Sequence, residues 1–420
     1  MIVQKTETHI IKESNPIYGW ILEECSRSKN LYNKALFIYR QAFTGNHDKI
    51  EDYKPIIRHE KFISSFELVK QMSKLKDIDY YAMTKKNSGT QVVCQVDRTM
   101  KSWFASLKAY KKDPSKFRGR PRIPSYKKKD KLNCLVYTYV DAKLQKDGTI
   151  NLRRDIKLPI HTNLKNFQQV RLVPKVGYVQ VEIVYNKEIN DLKLDLTRAI
   201  GIDLGLNNLM AITSNIGNIS NLVNGRPLKS INQYCNKKKA YLTSLLEKGK
   251  LKSSKRLRRL EMMRMMKIKD YLHKTSRRVV ELMEQNNIGT CFIGHNKGWK
   301  QEVEMGKKNN QNFVSIPYSL LINMLRYKLE EKGGVLVELN EAYTSKCSFL
   351  DNEKICKHET YKGKRVKRGL FLSENKKALN ADINGSLNIL KRGIGFSFKV
   401  ENEIFRPTKI DIEKKLLSFA

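Results

Sequence analysis

Three acidic residues stand where a carboxylate could do metal chemistry: Asp203 in RAIGIDLGLNN, Glu341 in NEAYTSKCSFLDNE and Asp382 in ALNADINGSLNIL. Asp203 closes a strand-like run and precedes Leu204-Gly205, so a carboxylate at a strand end meets a glycine that admits close backbone approach. The same pattern is ordinary turn chemistry. In the third segment Asn380 is placed to cap a helix whose Ile383, Leu387 and Leu390 repeat at i, i+4 and i+7. Asp382 then falls in the first turn, beside the buried stripe, where the helix dipole also favours an acid. The middle segment is less regular. TSKC reads as the start of a zinc knuckle, but Cys347 is followed by Ser348, Phe349 and Leu350, and the next candidate ligands are Cys356 and His358. Three irregularly spaced ligands fall short of the four of a closed structural site, so zinc is not expected.

These residues must be carried by strands and helices that the hydrophobic pattern outlines. MIVQKTETHIIK alternates as a strand does, and Tyr18 to Phe43 and Tyr81 to Tyr110 repeat near a period of 3.6. LVYTYV, VRLV and YVQVEIVY are β-like runs between Leu132 and Asn186, so helices inserted between β segments form one β-rich domain with the first strand. Beyond a boundary near Asn190 to Thr197, RAIGIDLGLNNLMAITS reads as strand, glycine turn and strand, with a third short strand over Ile219 to Val223. Cys235 to Arg278 reads as a helical hairpin, TCFIGH as a buried strand, Ile316 to Lys332 as an amphipathic helix, GGVLVELNE as another strand and Ala381 to Lys391 as a last helix. The segment from Gly393 carries no interpretable motif.

Charge narrows the function. The chain has 420 residues, with 81 Lys and Arg against 42 Asp and Glu, for a formal net charge of +39. That self-repulsion points to a polyanionic partner, and nucleic acid is the usual one. No apolar run reaches the ~18 residues of a spanning helix, and Met1 to Lys12 alternates rather than forming a signal-peptide core, so no membrane partner is expected. Seven scattered cysteines argue against a disulfide framework and for a reducing, cytoplasmic compartment. Two segments concentrate the cations. KKDPSKFRGRPRIPSYKKKDK, Lys111 to Lys131, is an extended, proline-interrupted arm whose Arg118, Arg120, Arg122, Lys127 and Lys128 can track phosphates while Phe117 and Tyr126 stack. A disordered linker is the other reading of this segment. The hairpin holds 16 Lys or Arg against three acidic residues between Cys235 and Arg278, with Arg256, Arg258 and Arg259 crowded beside its apolar stripe.

GIDLGLNNLMAIT, FIGHNKGWKQEVEMGKKNNQNFVSIP, EAYTSKCSFLD and NADINGSLNIL, in this order, resemble the RuvC-like nuclease half of TnpB, the transposon-encoded RNA-guided DNA nucleases related to type V CRISPR effectors. The resemblance covers roughly Ala199 to Arg392; the N-terminal half is similar in architecture only. It implies an α/β chain: a ribonuclease H-like (RuvC) nuclease domain preceded by a β-rich wedge domain with a helical recognition-lobe insertion. The expected division is a wedge over 1–14 and 132–190, a recognition lobe with the basic arm over 15–131, and a nuclease domain over 191–340 and 374–395. A degenerate zinc-knuckle loop over 341–373, binding target nucleic acid, and a C-terminal tail over 396–420 complete it. The resemblance further implies two aspartates and a glutamate around Mg²⁺ or Mn²⁺, with two ions about 4 Å apart stabilising the attacking and leaving oxygens. Asp203 matches the first catalytic aspartate and Asp382 the last.

One match fails. The usual TnpB glutamate ends the strand that is FIGH here, and this position is Gly294, followed by His295. Glu302 and Glu304 lie several residues beyond the strand. Glu341 lies at the end of the next strand, which in a ribonuclease H-like sheet is expected to be a neighbour about 4.8 Å away. Some TnpB branches and their Fanzor relatives look similar, with a relocated glutamate in an E-x-x-T-S context that Glu341 to Ser345 fits. Glu341 is therefore the expected third carboxylate. Arg365 and Arg368 of YKGKRVKRG are expected to hold the following loop against nucleic acid.

Three functions compete. The first is an RNA-guided DNA endonuclease that takes a guide RNA derived from the transposon end and cuts double-stranded target DNA beside a short adjacent motif. The second is a nuclease-dead, RNA-guided repressor, motivated by Gly294. The third is a transposase acting directly on DNA ends. Cytoplasmic, nucleoid-associated location is expected for each, and the oligomeric state is left open.

Overall fold

A computed structural model of the chain describes residues 2–59, 62–153, 155–189, 192–217, 219–296 and 315–412. Two compact units divide it, residues 2–188 and 189–420.

In the first unit, β1 (Ile2–Lys12) is followed by helices α1 (Ile17–Thr44), α2 (Ser65–Lys74), α3 (Ile78–Tyr81) and α4 (Lys86–Lys112). Then come β2 (Leu135–Thr138), the small sheet β3 (Lys143–Leu144), β4 (Ile150–Arg153) and β5 (Ile156–Leu158), and the long strands β6 (Gln169–Lys175) and β7 (Tyr178–Glu188). The order β1-β7-β6-β2 makes an antiparallel sheet in which the N-terminal strand pairs along its whole length with β7, Ile2 opposite Glu188 and Lys12 opposite Tyr178. Alternation explains the sheet: Val179, Val181 and Ile183 are fully buried, while Tyr178, Gln180 and Glu182 between them are partly exposed. They share one core with Leu31, Ala35, Leu36 and Ile38 of α1 and Val92, Val93 and Val96 of α4. The second helix begins at Lys86 rather than near Tyr81, because the sequence first forms the single turn of α3, capped by Asp77 accepting from the Tyr80 amide.

The segment after α4 has no regular structure beyond a short 3-10 turn, as three prolines require. It is nonetheless fixed to its unit. The Lys127 amide donates to Asn33 Oδ1 (2.8 Å), Asn33 Nδ2 donates to the Lys127 carbonyl (2.9 Å), and the Trp103 indole donates to the Pro121 carbonyl.

The second unit is built on β8 (Asp195–Leu204), β9 (Asn208–Ser214), β10 (Ser220–Asn224), α5 (Arg226–Lys248), α6 (Lys255–Gln285), β11 (Ile288–Gly294), α7 (Tyr318–Glu330) and β12 (Val335–Leu339). A small sheet, β13 (Lys364–Lys367), β14 (Leu370–Leu372) and β15 (Ala378–Leu379), leads into α8 (Ala381–Ile394) and finally β16 (Thr408–Ile410). The main sheet has the order β12-β11-β8-β9-β10-β16. β8, β9 and β10 form an antiparallel meander, and β11 and β12 run parallel to β8 on its other side. This is the strand order and polarity of a ribonuclease H-like sheet. Its two faces divide cleanly. Ile200, Ile202 and Ile212 pack with Ile268 and Leu272 of α6 and Leu325 of α7, whereas Ala211 and Leu222 pack with Ile383 and Leu387 of α8.

The hairpin extends beyond its expected limits at both ends, from Arg226 to Gln285. Two features carry no readable pattern in the sequence. The strand KRVK of β13 is exposed at every residue, so it shows no alternation, and the three-residue β16 pairs in parallel with β10 from within the expected tail. Among the described residues, no helix is long and apolar enough to cross a membrane.

Candidate active site

Asp203 and Gly294 lie at the carboxyl ends of β8 and β11, and β12 ends level with them: Ile293 pairs with Ile202, and Gly294 with Leu339. In open α/β sheets that edge is where ligands bind. Glu341 is not on β12, as the sequence had suggested, but two residues past its end. The ladder stops because the Ala342 amide donates to the Asn340 side chain (2.8 Å), an Asx turn that swings the chain off the sheet. This turn brings Glu341 over β11. A Cβ at Gly294 would stand 3.1 Å from Glu341 Oε2 and 3.2 Å from its Cβ, so the glutamate fills the space that a side chain on Gly294 would enter.

The turn is held from three directions. The Thr344 amide and hydroxyl both donate to the Glu341 carbonyl (3.2 and 2.8 Å), which gives the E-x-x-T spacing a physical reason. The Glu341 amide donates to Asn296 Oδ1 (3.1 Å). From α8, the Arg392 guanidinium bonds the carbonyls of Asn340 and Ala342, on either side of Glu341, and also that of Ile355. Farther along, the buried Asn384 and Asn388 of the same helix each donate to the Cys347 carbonyl (2.8 Å).

Asp382 sits in the first turn of α8, where Asn380 caps the helix by accepting from the amides of Asp382 and Ile383 (2.9 and 3.3 Å). Its carboxylate takes Asn208 Nδ2 on Oδ2 (2.7 Å) and the Arg365 guanidinium on Oδ1 (3.5 Å). One turn later, Gly385 lets the helix meet the sheet: a Cβ there would lie 2.8 Å from Asp203 Oδ2.

The electrostatics tie the three acids together. Burial pushes the Asp203 carboxyl well above the usual range, the charges of Asp382 and Glu341 push it further, and Arg365 opposes them. Glu341 is raised as well, by burial, against the pull of His295. Beneath them lies the buried Tyr318, whose hydroxyl donates to the Gly205 carbonyl (2.9 Å) and whose ionisation is suppressed by burial and by Asp203 and Glu341. His295 is held by Glu338 (2.8 Å), which also takes Arg326. Among the described residues, no three His, Cys, Asp or Glu side chains converge closely enough to hold an ion between them. For Asp382 the reason is visible, since both of its oxygens face Asn208 and Arg365. The donor set still fits a hard divalent cation: three carboxylate side chains, two of them disfavoured in their charged form by burial, the first also by its neighbours.

In the segment expected to be a degenerate knuckle, the candidate ligands have the following contacts. Cys347 is buried with its thiol against the carbonyls of Lys354 and Cys356 (3.5 and 3.6 Å), and Cys356 Sγ contacts His358 Nε2 at 3.4 Å. Of the expected nucleic-acid contacts, Arg118, Arg120, Arg122, Lys128, Arg256, Arg259, Arg365 and Arg368 are exposed, and Arg258 is half-buried. Lys127 instead stands over the Tyr32 ring (4.6 Å). The arm's aromatics are likewise engaged within their unit: Phe117 meets Tyr110 edge-on at 5.7 Å, and Arg40 lies over Tyr126 at 4.8 Å. Glu302 and Glu304 lie outside the described residues. Asn208, Thr344, Arg392 and Tyr318 were not foreseen. The E-x-x-T spacing was the one available signal, for Thr344.

Residues 182–300 match the OrfB_IS605 family model, described as probable transposase, and residues 318–389 match the Cas12f1-like TNB domain. The TnpB-like protein ORF457 of Acidianus two-tailed virus is 26% identical over 235 residues, 54% of this chain and 48% of that protein. The chain thus spans about half the length of this curated relative. Two solved structures align over 87% of this chain at 15% identity: a Cas12f1-sgRNA-target DNA complex (TM-score 0.49, 82% of that chain) and a CRISPR-Cas12f ternary complex (TM-score 0.34, 81% of that chain).

Proposed function

We propose that the chain is a member of the TnpB family, on its match to two models of that kind and to a TnpB-like relative, and that it is an RNA-guided, divalent-metal-dependent DNA endonuclease. A guide RNA derived from the transposon end pairs with one strand of double-stranded DNA, and the protein cuts beside a short adjacent motif. The observation that carries the reading is the place of Glu341. Its carboxylate lies over Gly294, at the edge of the sheet where β8 presents Asp203. An acid has been removed from one strand and supplied from the turn after the next.

Asp203, Glu341 and Asp382 would hold Mg²⁺ or Mn²⁺, which when bound activates water and stabilises the attacking and leaving oxygens of a phosphodiester. The chain's own residues do the rest. Arg392 and Thr344 fix the turn that aims Glu341, and Asn208 orients Asp382. Arg365 reaches the carboxylates from an exposed strand and is positioned to meet the negative charge of the DNA backbone, with Arg368 beside it. The wedge over 1–14 and 132–190, the recognition lobe over 15–131 and the loop over 341–373 divide guide and target binding among them. Arg118, Arg120, Arg122 and Lys128 of the arm and Arg256, Arg258 and Arg259 of the hairpin contact phosphates. A cytoplasmic location is part of this proposal.

The test is Mg²⁺-dependent cleavage of target DNA by the purified ribonucleoprotein. Cleavage by the wild type and none by Glu341→Ala is the expected pair. Cleavage that survives Glu341→Ala rejects the carboxylate assignment. Guide-directed binding without cleavage in the wild type means a repressor instead.

A further inference from the structure

The hairpin of α5 and α6 carries a cleft whose chemistry differs from that of a plain basic surface. Tyr234 and Tyr241, two helical turns apart on α5, stand on one side with Lys238 between them; Arg256 and Arg259 of α6 stand opposite. Leu242, Leu260 and Met263 supply its apolar lining, and the open cleft has a volume of about 350 Å³, within the usual range of ligand sites. Tyr241 is 57% exposed and lines the same cleft as these apolar side chains. Lys238, Arg256 and Arg259 are exposed and make no ion pair among the described residues, and Glu261 of α6 is paired with Lys239 (2.7 Å).

Phosphate tracking alone needs only the cations. Two exposed phenol rings in a cleft with an apolar lining add a flat, water-excluding surface that a duplex, with its bases stacked inside, has no way to use. We infer that this cleft takes an unpaired nucleobase of a single-stranded segment, stacked on Tyr241 with Tyr234 beside it, while Lys238, Arg256 and Arg259 hold the adjoining phosphates. The charge fits no cation, acidic groups being absent from the lining. This site rests on the nucleic-acid-binding part of the reading above and is independent of cleavage.

The test is fluorescence anisotropy on the full chain in EDTA, with a labelled oligouridine, its deoxy counterpart and a duplex of equal length as probes. Tyr241→Ala is expected to weaken single-strand binding at least about fivefold, the loss of one stacked base, and Tyr241→Phe to keep wild-type affinity. Duplex affinity and the salt slope should be unchanged in Tyr241→Ala, whereas Arg256→Gln should lower the slope by about one. The ribo and deoxy probes identify which strand supplies the base. Wild-type affinity in Tyr241→Ala overturns the inference. So does equal weakening in Tyr241→Phe, or an equal loss on the duplex. A chain that binds no oligonucleotide at all fails the broader reading too, whereas binding indifferent to Tyr241 sinks this site alone.

Discussion

Glu341 and Gly294 share one space: the Oε2 atom of the glutamate lies 3.1 Å from the point where a side chain on the glycine would begin. Gly294→Ala is therefore expected to displace Glu341, the more so because the same Cβ would stand 2.6 Å from Ile389 Cδ1. A shift of about 1 Å at a catalytic group costs roughly 10²-fold in rate. Cleavage by Gly294→Ala should fall by that order with guide binding intact. Gly294→Glu combined with Glu341→Gly should recover more activity than Gly294→Glu alone. Equal activity in the two would show that the positions are independent.

Thr344 offers a finer probe, because among the described residues its hydroxyl hydrogen-bonds only the carbonyl of Glu341. Thr344→Val keeps the shape and removes the bond. Supporting contacts of this kind usually matter by 10- to 100-fold, so cleavage should drop by roughly 10-fold while target affinity stays constant. Unchanged cleavage rates in single-turnover assays would remove Thr344 from the positioning set.

Asp203 carries a testable cost. Its folded-state pKa is raised, so the native chain binds the extra proton and stability falls as pH rises from the ordinary carboxylate range through the raised value. In EDTA at neutral pH, Asp203→Asn should therefore melt higher than the wild type, by about 2–4 °C per kcal/mol of repulsion removed. Mg²⁺ should raise the wild-type Tm and leave the variant nearly unmoved. A variant that melts lower in EDTA would contradict the electrostatic account.

Arg365 holds the Asp203 pKa down, so removing it must let that pKa climb. Arg365→Gln should move the acid limb of the cleavage pH profile to higher pH as well as lowering the maximum rate. A reduced rate with an unmoved acid limb would assign Arg365 to DNA contact alone.

The exposed arm predicts a salt effect. Replacing Arg118, Arg120 and Arg122 with Gln should weaken guide or target binding and reduce the slope of log affinity against log salt by up to about three. A steep slope that survives all three changes would place the phosphate contacts elsewhere.

Local signals were the legible ones. The strand end at Asp203 and the Asn380 cap before Asp382 depend on a few adjacent residues, and both are found where the sequence puts them. The long helices followed from their apolar period, with ends misjudged where a short turn intervenes, as at α3. The sequence puts Glu341 at the strand end and the structure puts it in the turn beyond, because an Asx turn at Asn340 reads as a continuation of the strand in the absence of its hydrogen bond. Asn208 and Arg392 reach their partners across 174 and 50 residues, and nothing in a linear reading marks such pairs. The all-exposed β13 and the three-residue β16 offer no hydrophobic pattern at all.

Reliance on α8 to close the site has a consequence for biosynthesis. Asp203 emerges from the ribosome long before Asp382, and the helix that carries Asp382 also brings Arg392 to the Glu341 turn. The contacts that complete the site thus have large sequence separation and form late. A nascent chain already displays the basic hairpin, able to gather nucleic acid, before it has any means of cutting it.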